Sequence, residues 1–211
     1  MQFSAKGIAR ARAQDTNRIT VTARRTQLPT RVEVILLAGG LSSRMGRDKA
    51  RLRLRGRTLL AWVRAAARAT GWPVRVIRRD LVPRCGPLGG VWTAFQRSRA
   101  QRLVFLSCDM PFVTPELIRT VAERKGRGVF TVTADGAGFP FALDRDALPH
   151  IEQALAEKRF SLQALATRLR ARRLRLPAAR QAELRNLNTP EDLARAGAHL
   201  SFLQPLISTG L

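Results

Sequence analysis

The chain has 211 residues, of which 45% are hydrophobic, enough to bury the core of one domain. No apolar run approaches the ~20 residues of a membrane-spanning helix, so an integral membrane protein is not expected. Two cysteines, Cys85 and Cys108, exclude a disulfide framework or a cysteine-built zinc site, and the formal charge of +23 favours anionic ligands.

Residues 1–31 carry Lys6, Arg10, Arg12, Arg18, Arg24, Arg25 and Arg31 against a single acid, Asp15. No apolar h-region follows, so this stretch is no secretory signal and reads as a basic, disordered arm or an overlong start. Val32-Glu33-Val34-Ile35 reads as a buried strand. It feeds Leu36-Leu37-Ala38-Gly39-Gly40-Leu41-Ser42-Ser43-Arg44-Met45-Gly46-Arg47-Asp48-Lys49. Glycines lack the Cβ that would keep backbone N–H groups away from an anion. Arg44 and Lys49 add full charges where a pyrophosphate would lie. The loop is neither a dinucleotide fingerprint nor a P-loop, because G-x-G-x-x-G and Gly-Lys-Ser/Thr are both missing from it.

Further along, strand and helix alternate, the mark of an α/β sandwich with a mainly parallel sheet. Thr58 caps a predicted helix that buries Leu59, Leu60, Val63 and Ala67 and stops at Gly71. Val74–Ile77 reads as a strand, Gly86-Pro87-Leu88-Gly89-Gly90 as a turn, and residues 91–98 as a helix. Leu103–Leu106 is a fully apolar central strand ending near Asp109. Thr114-Pro115-Glu116 starts a helix with cap, proline and first-turn acid in order. Val129–Val132 and Phe139–Leu143 read as strands joined at Asp135-Gly136. The last third reads as helical with one strand at 174–176, and Thr189-Pro190-Glu191-Asp192 opens the final helix. The domain is expected over residues 32–200, with 201–211 a tail.

A carboxylate at the carboxyl end of a central strand, as at Asp109, suits Mg²⁺, which prefers one or two carboxylates plus phosphate oxygens. Asp80 stands among Arg78, Arg79 and Arg84, so a surface salt bridge explains it as well as a ligand contact does. His150 and His199 have no partners at metal-ligand spacing.

The stretch Leu37–Lys49 matches every specified position of L-A-G-G-x-S-x-R-M-G-x-D-K and thereby resembles the molybdenum cofactor guanylyltransferase family. Cys108-Asp109-Met110-Pro111-Phe112 is similar to that family's C-D-x-P-F motif, Gly86–Gly90 to its G-P-L-x-G segment, and Asn186–Asp192 to its N-x-N-T-P-E-D/E box. The resemblance implies a three-layer α/β sandwich of the nucleotide-diphospho-sugar transferase, Rossmann-like type. It implies transfer of GMP from GTP to the terminal phosphate of molybdopterin-bound molybdenum, with release of pyrophosphate. It further implies that Lys49, Arg44 and Asp109 are catalytic and that Asp109 holds Mg²⁺. Nucleotide contacts would come from Leu37, Ala38, Gly39, Gly40, Ser42, Gly46, Lys49, Asp80, Gly86, Pro87, Leu88 and Asp109, and acceptor contacts from Asn186 and Asn188.

One segment departs from the family pattern. Family members carry, after the second strand, an asparagine that contacts guanine and then a further helix and strand. Here only Arg78 and Arg79 separate Ile77 from Asp80. A lost hydrogen bond to a base edge costs ~1–3 kcal/mol, so the base selector is weakened while the phosphate machinery is intact. A sister reaction such as cytidylyl transfer is one alternative. A non-catalytic basic relative that binds nucleic acid or a molybdoenzyme is another, although no helix-turn-helix, zinc-finger or RNP motif supports it. The expected protein is a cytoplasmic monomer that takes GTP and molybdopterin as substrates. Molybdoenzymes or their chaperones are candidate partners, and neither a specific nucleic acid nor a membrane is expected.

Overall fold

A computed structural model describes residues 31–39 and 52–199, apart from the side chains of 190 and 197–199. Residues 1–30 of the expected arm, the tail at 201–211, and Gly40, Ser42, Arg44, Gly46 and Lys49 lie outside the described residues.

The β-branched run after Arg31 forms β1 (Val32–Leu37), which pairs in parallel with β4 (Val74–Ile77) on one side and β5 (Arg102–Ser107) on the other. Beyond β5 come β7 (Gly136–Asp144), β6 (Gly128–Thr133) and β8 (Arg172–Leu174), in the order β4-β1-β5-β7-β6-β8. Only β7 runs against the rest, pairing antiparallel with both β5 and β6. Two residues at positive φ, Arg55 and Gly56, turn a short hairpin between β2 (Arg53–Leu54) and β3 (Arg57–Thr58) that the sequence reading did not mark.

Side chains alternate across the pleat, and both faces of the sheet are covered. Val34, Leu36, Val104 and Leu106 meet α1 (Leu59–Arg68) and α3 (Pro115–Glu123) on one face. Ile35, Leu37, Leu103 and Phe105 meet α2 (Gly86–Arg97), α4 (Leu148–Ala156) and α5 (Leu162–Arg168) on the other. The expected three-layer sandwich is therefore present. On the second face Phe105, Phe141 and Phe130 sit at one level of three neighbouring strands and stack at centroid separations of 4.8 and 4.7 Å.

The helix starts follow the sequence signals. Thr58 Oγ1 accepts from the Ala61 N–H at 3.2 Å, Thr114 Oγ1 accepts from the Leu117 N–H at 3.1 Å, and α1 buries the four residues expected of it. Two boundaries differ. Gly86–Gly90 is not a turn before a helix at 91–98 but the first part of α2, with Pro87 in its first turn, where the missing N–H is not needed. The edge strand lies at Arg172–Leu174 rather than 174–176: Leu174 and Leu176 are both buried, but the register with β6 ends at Leu174. No helix among the described residues is long and apolar enough to cross a membrane.

Candidate active site

Because β1, β4 and β5 are parallel, the loops after Leu37, Ile77 and Ser107 open on the same edge of the sheet. From β1 the chain crosses to β4 on one side, then returns past β1 to β5 on the other. This is the switch point at which open α/β sheets leave a crevice beyond their strand ends.

Asp109 stands one turn past β5 and is 9% exposed. Ser107 Oγ donates to its Oδ1 at 2.6 Å, fixing the carboxylate, and the Cys108 N–H donates to the Leu37 carbonyl at 3.3 Å. The Asp109 carbonyl accepts from the Leu187 N–H at 2.9 Å. Leu187 is fully buried with Leu54, Leu59 and Phe112, whereas its neighbours Asn186 and Asn188 are exposed. A small apolar cluster thus docks the Asn186–Asn188 segment beside Asp109. That segment leads into α6 (Pro190–His199), where Thr189 and Asp192 cap reciprocally. Asp192 Oδ2 accepts from the N–H groups of Asn188 and Thr189, both at 3.0 Å, and Thr189 Oγ1 accepts from the Asp192 N–H at 3.1 Å. These bonds, that to the Asn188 N–H foremost, hold the Asp192 carboxyl below its usual range.

On the β1 side, Leu37 is buried and its carbonyl is engaged by Cys108. Ala38 spends its N–H on the Ile77 carbonyl at 2.8 Å. Backbone donors for an anion must therefore come from beyond Ala38. A Cβ on Gly39 would stand 2.5 Å from the Arg78 carbonyl oxygen, so the glycine lets the loops after β1 and β4 touch.

Asp80 lies across the start of α2. Cβ atoms on Gly89 and Gly90 would each come within 3.2 Å of its carboxylate oxygens, so the glycine pair makes its seat. The next residue is tied down as well: the Leu81 N–H donates to Thr93 Oγ1 at 2.9 Å, and that hydroxyl donates to the Gly89 carbonyl at 2.7 Å. Despite Arg78, Arg79 and Arg84 nearby in sequence, Asp80 forms no ion pair among the described residues. Burial raises its pKa. Of the nucleotide contacts expected on this helix, Gly86 and Pro87 are exposed, while Leu88 is fully buried and can offer only its main chain. Sequence reasoning gave no role to Ser107, Thr93 or Leu187. A hydroxyl two residues before an aspartate could have flagged Ser107; the other two depend on tertiary packing.

No three carboxylate, histidine or cysteine side chains cluster to hold a metal ion among the described residues. One carboxylate fixed by Ser107 beyond the strand ends instead suits a cation that would be completed by the phosphates of a bound ligand.

Residues 34–173 match the model of the MobA-like NTP transferase domain. The chain belongs to that family. It is 34% identical over 177 residues to a molybdenum cofactor guanylyltransferase of Xanthomonas euvesicatoria, covering 76% of this chain and 92% of that protein. It is 35% identical over 189 residues to a probable molybdenum cofactor guanylyltransferase of Opitutus terrae, with the same coverage. Among solved structures, the molybdopterin-guanine dinucleotide biosynthesis protein A of Archaeoglobus fulgidus superposes with a TM-score of 0.65 at 22% identity, covering 80% of this chain and 98% of that one. The 2-C-methyl-D-erythritol 4-phosphate cytidylyltransferase of Thermus thermophilus superposes at 0.60 and 17% identity, covering 82% and 100%. This family member is a nucleotidyltransferase with a role in molybdenum cofactor biosynthesis.

Proposed function

We propose that this nucleotidyltransferase transfers GMP from GTP to the terminal phosphate of molybdopterin-bound molybdenum, releasing pyrophosphate. The observation that carries this reading is the convergence on Asp109 of the glycine-loop strand, the Ser107–Asp109 turn and the Asn186–Asn188 segment. One carboxylate thereby stands where the end of the glycine-loop strand and the proposed acceptor segment meet. The names of the similar proteins supply the two substrates.

The acceptor's terminal phosphate has a second pKa of about 6, so it is already ionised at neutral pH and needs no general base. What remains for the protein is alignment and charge neutralisation. Asp109, oriented by Ser107, would hold magnesium, and the bound ion would supply positive charge for the phosphates. Lys49 and Arg44 are assigned by motif to the departing pyrophosphate. Asn186 and Asn188 would orient the acceptor from the docked segment, and Asp80 would receive hydrogen-bond donors of the nucleotide on its glycine seat.

The test is pyrophosphate release and nucleotide-dependent thermal shift, with and without Mg²⁺. Asp109→Asn keeps the shape of the side chain and is expected to lower turnover by roughly a hundredfold or more while keeping the fold. Near-normal release by that variant would overturn the reading.

A sister reaction with another base is favoured by one feature. Only Arg78 and Arg79 separate β4 from Asp80, so the asparagine, helix and strand that the family carries there have no counterpart between them. Turnover with GTP, CTP, UTP and ATP side by side separates the two, with a strong GTP preference expected from the first reading.

A further inference from the structure

The edge of the sheet opposite β4 carries charges that the transfer reaction does not use. Arg170, just before β8, and Arg172, at its amino end and on the α3 face with Val129, are exposed and form no ion pair among the described residues. The side chain of Arg172 lies against Gly126, within 3.4 Å of where a Cβ on that glycine would stand. Gly126 follows Arg124 and Lys125, which are also exposed and unpaired among the described residues. The strip therefore runs from the β8 edge around to the amino ends of the central strands, away from Asp109.

There it meets a cavity of about 740 Å³, lined by Arg31, Trp72, Arg124, Lys125 and Gly126 among others. Trp72 is half-buried, its inner side packed on the core beneath α1 and α3. Of the acids in the lining, Asp144 is neutralised by the buried Arg102, which leaves Glu123 as the one uncompensated acid among the described lining residues.

We propose that this strip and cavity form a binding site for single-stranded nucleic acid, with backbone phosphates along Arg124, Lys125, Arg170 and Arg172 and a base against Trp72. Guanidinium groups suit phosphate because their planar forks donate two bonds at once. A positively charged groove leading to an aromatic platform is the general design for binding single strands without sequence preference. A base in the cavity must be unstacked, which selects single strands over duplex. No large hydrophobic side chain is exposed on the strip (Leu81, at the opposite edge of the sheet, is the exposed one among the described residues), so insertion into lipid is disfavoured.

The experiment measures fluorescence anisotropy of a labelled oligouridylate and oligothymidylate of about 12 nucleotides, within the usual site sizes, on the full chain across a salt series. The combined Arg124→Gln, Lys125→Gln and Arg172→Gln variant is compared with Arg64→Gln, Arg97→Gln and Lys158→Gln, which removes the same charge elsewhere. The strip variant is expected to bind at least tenfold more weakly. Its slope of log affinity against log salt should be shallower by about 2, given ~0.7 per neutralised phosphate on a single strand. The control set should stay within about twofold and both sets should keep pyrophosphate release, as expected for charges remote from the phosphate grip. Trp72→Leu should cost roughly five- to tenfold for single strands and leave a duplex of equal length unaffected, since stacking needs a free base. Equal losses in the two charge sets would overturn the site in favour of a diffuse field. Duplex bound as tightly as single strands would also overturn it. So would the same arginine dependence appearing on anionic vesicles or polyglutamate while the oligonucleotides are unaffected.

Discussion

Asp80 is the residue at which burial, packing and chemistry pull in different directions. Its carboxylate rests on Gly89 and Gly90, and nothing of opposite charge among the described residues compensates it. Burial raises its pKa, so the folded chain holds the proton more tightly than the unfolded chain does. Stability then falls as pH rises from near the ordinary carboxyl value of about 4 through the raised one, and the ionised group remains a cost at neutral pH. Asp80→Asn is therefore expected to melt at the same temperature as the parent or higher at pH 7, with the difference vanishing near about pH 4. The same change should abolish the thermal shift given by nucleotide. A lower melting temperature at pH 7 would show instead that Asp80 is a structural partner.

Among the elements, α6 and the segment before it show how a local capping rule and one buried leucine fix a segment beside Asp109, the proposed acceptor side. Thr189 and Asp192 cap each other's backbone, the Leu187 N–H is bonded to the Asp109 carbonyl, and Leu187 anchors the segment in the small cluster with Phe112. Thr189→Ala should cost about 1 kcal/mol in denaturant unfolding, the usual effect of losing a cap. It should also weaken acceptor binding more than nucleotide binding, seen as a rise in acceptor KM with nucleotide KM unchanged. Because the Asp192 carboxyl is depressed, its contribution is complete above the ordinary carboxyl pKa and is lost as pH falls through the lowered value. Hydrogen exchange at the amides of Asn188 and Thr189 should accordingly accelerate below about pH 4 before the sheet amides respond. Simultaneous loss everywhere would contradict this order.

For the whole molecule, the sheet is one continuous body with a buried aromatic stack at its centre. Phe141 lies between Phe105 of β5 and Phe130 of β6, and so joins β4, β1 and β5 to β6 and β8. Phe141→Ala is expected to cost about 3–5 kcal/mol while keeping a single urea transition, since no half of the sheet has a core of its own. Two separate transitions, by near- and far-ultraviolet dichroism, would show that the halves fold independently. Charge acts at this scale too. The excess of arginine is spread over the surface, and Arg172 and Arg124, with Lys125, bring part of it beside the cavity at the amino ends of the central strands.

By itself the sequence determined the periodic and local features: a β-branched run for the central strand, Thr58 and Thr114 as caps, the Asp135-Gly136 hairpin, and the motif spacing that points to a nucleotidyltransferase. These are readable because each depends on neighbours within a turn or two of chain. Tertiary structure alone decided what long-range contacts decide. The glycines at 86–90 read as a turn because glycine is conformationally free, yet they are helical. Gly89 and Gly90 lack side chains because Asp80, Val82 and Leu37 press against them. The lack of an ion pair at Asp80 among the described residues, the tie from Leu187 to Asp109, and the meeting of Arg172 with Gly126 all depend on contacts made by the tertiary fold. No periodicity can encode such meetings, because they are settled by which strands lie side by side in the sheet.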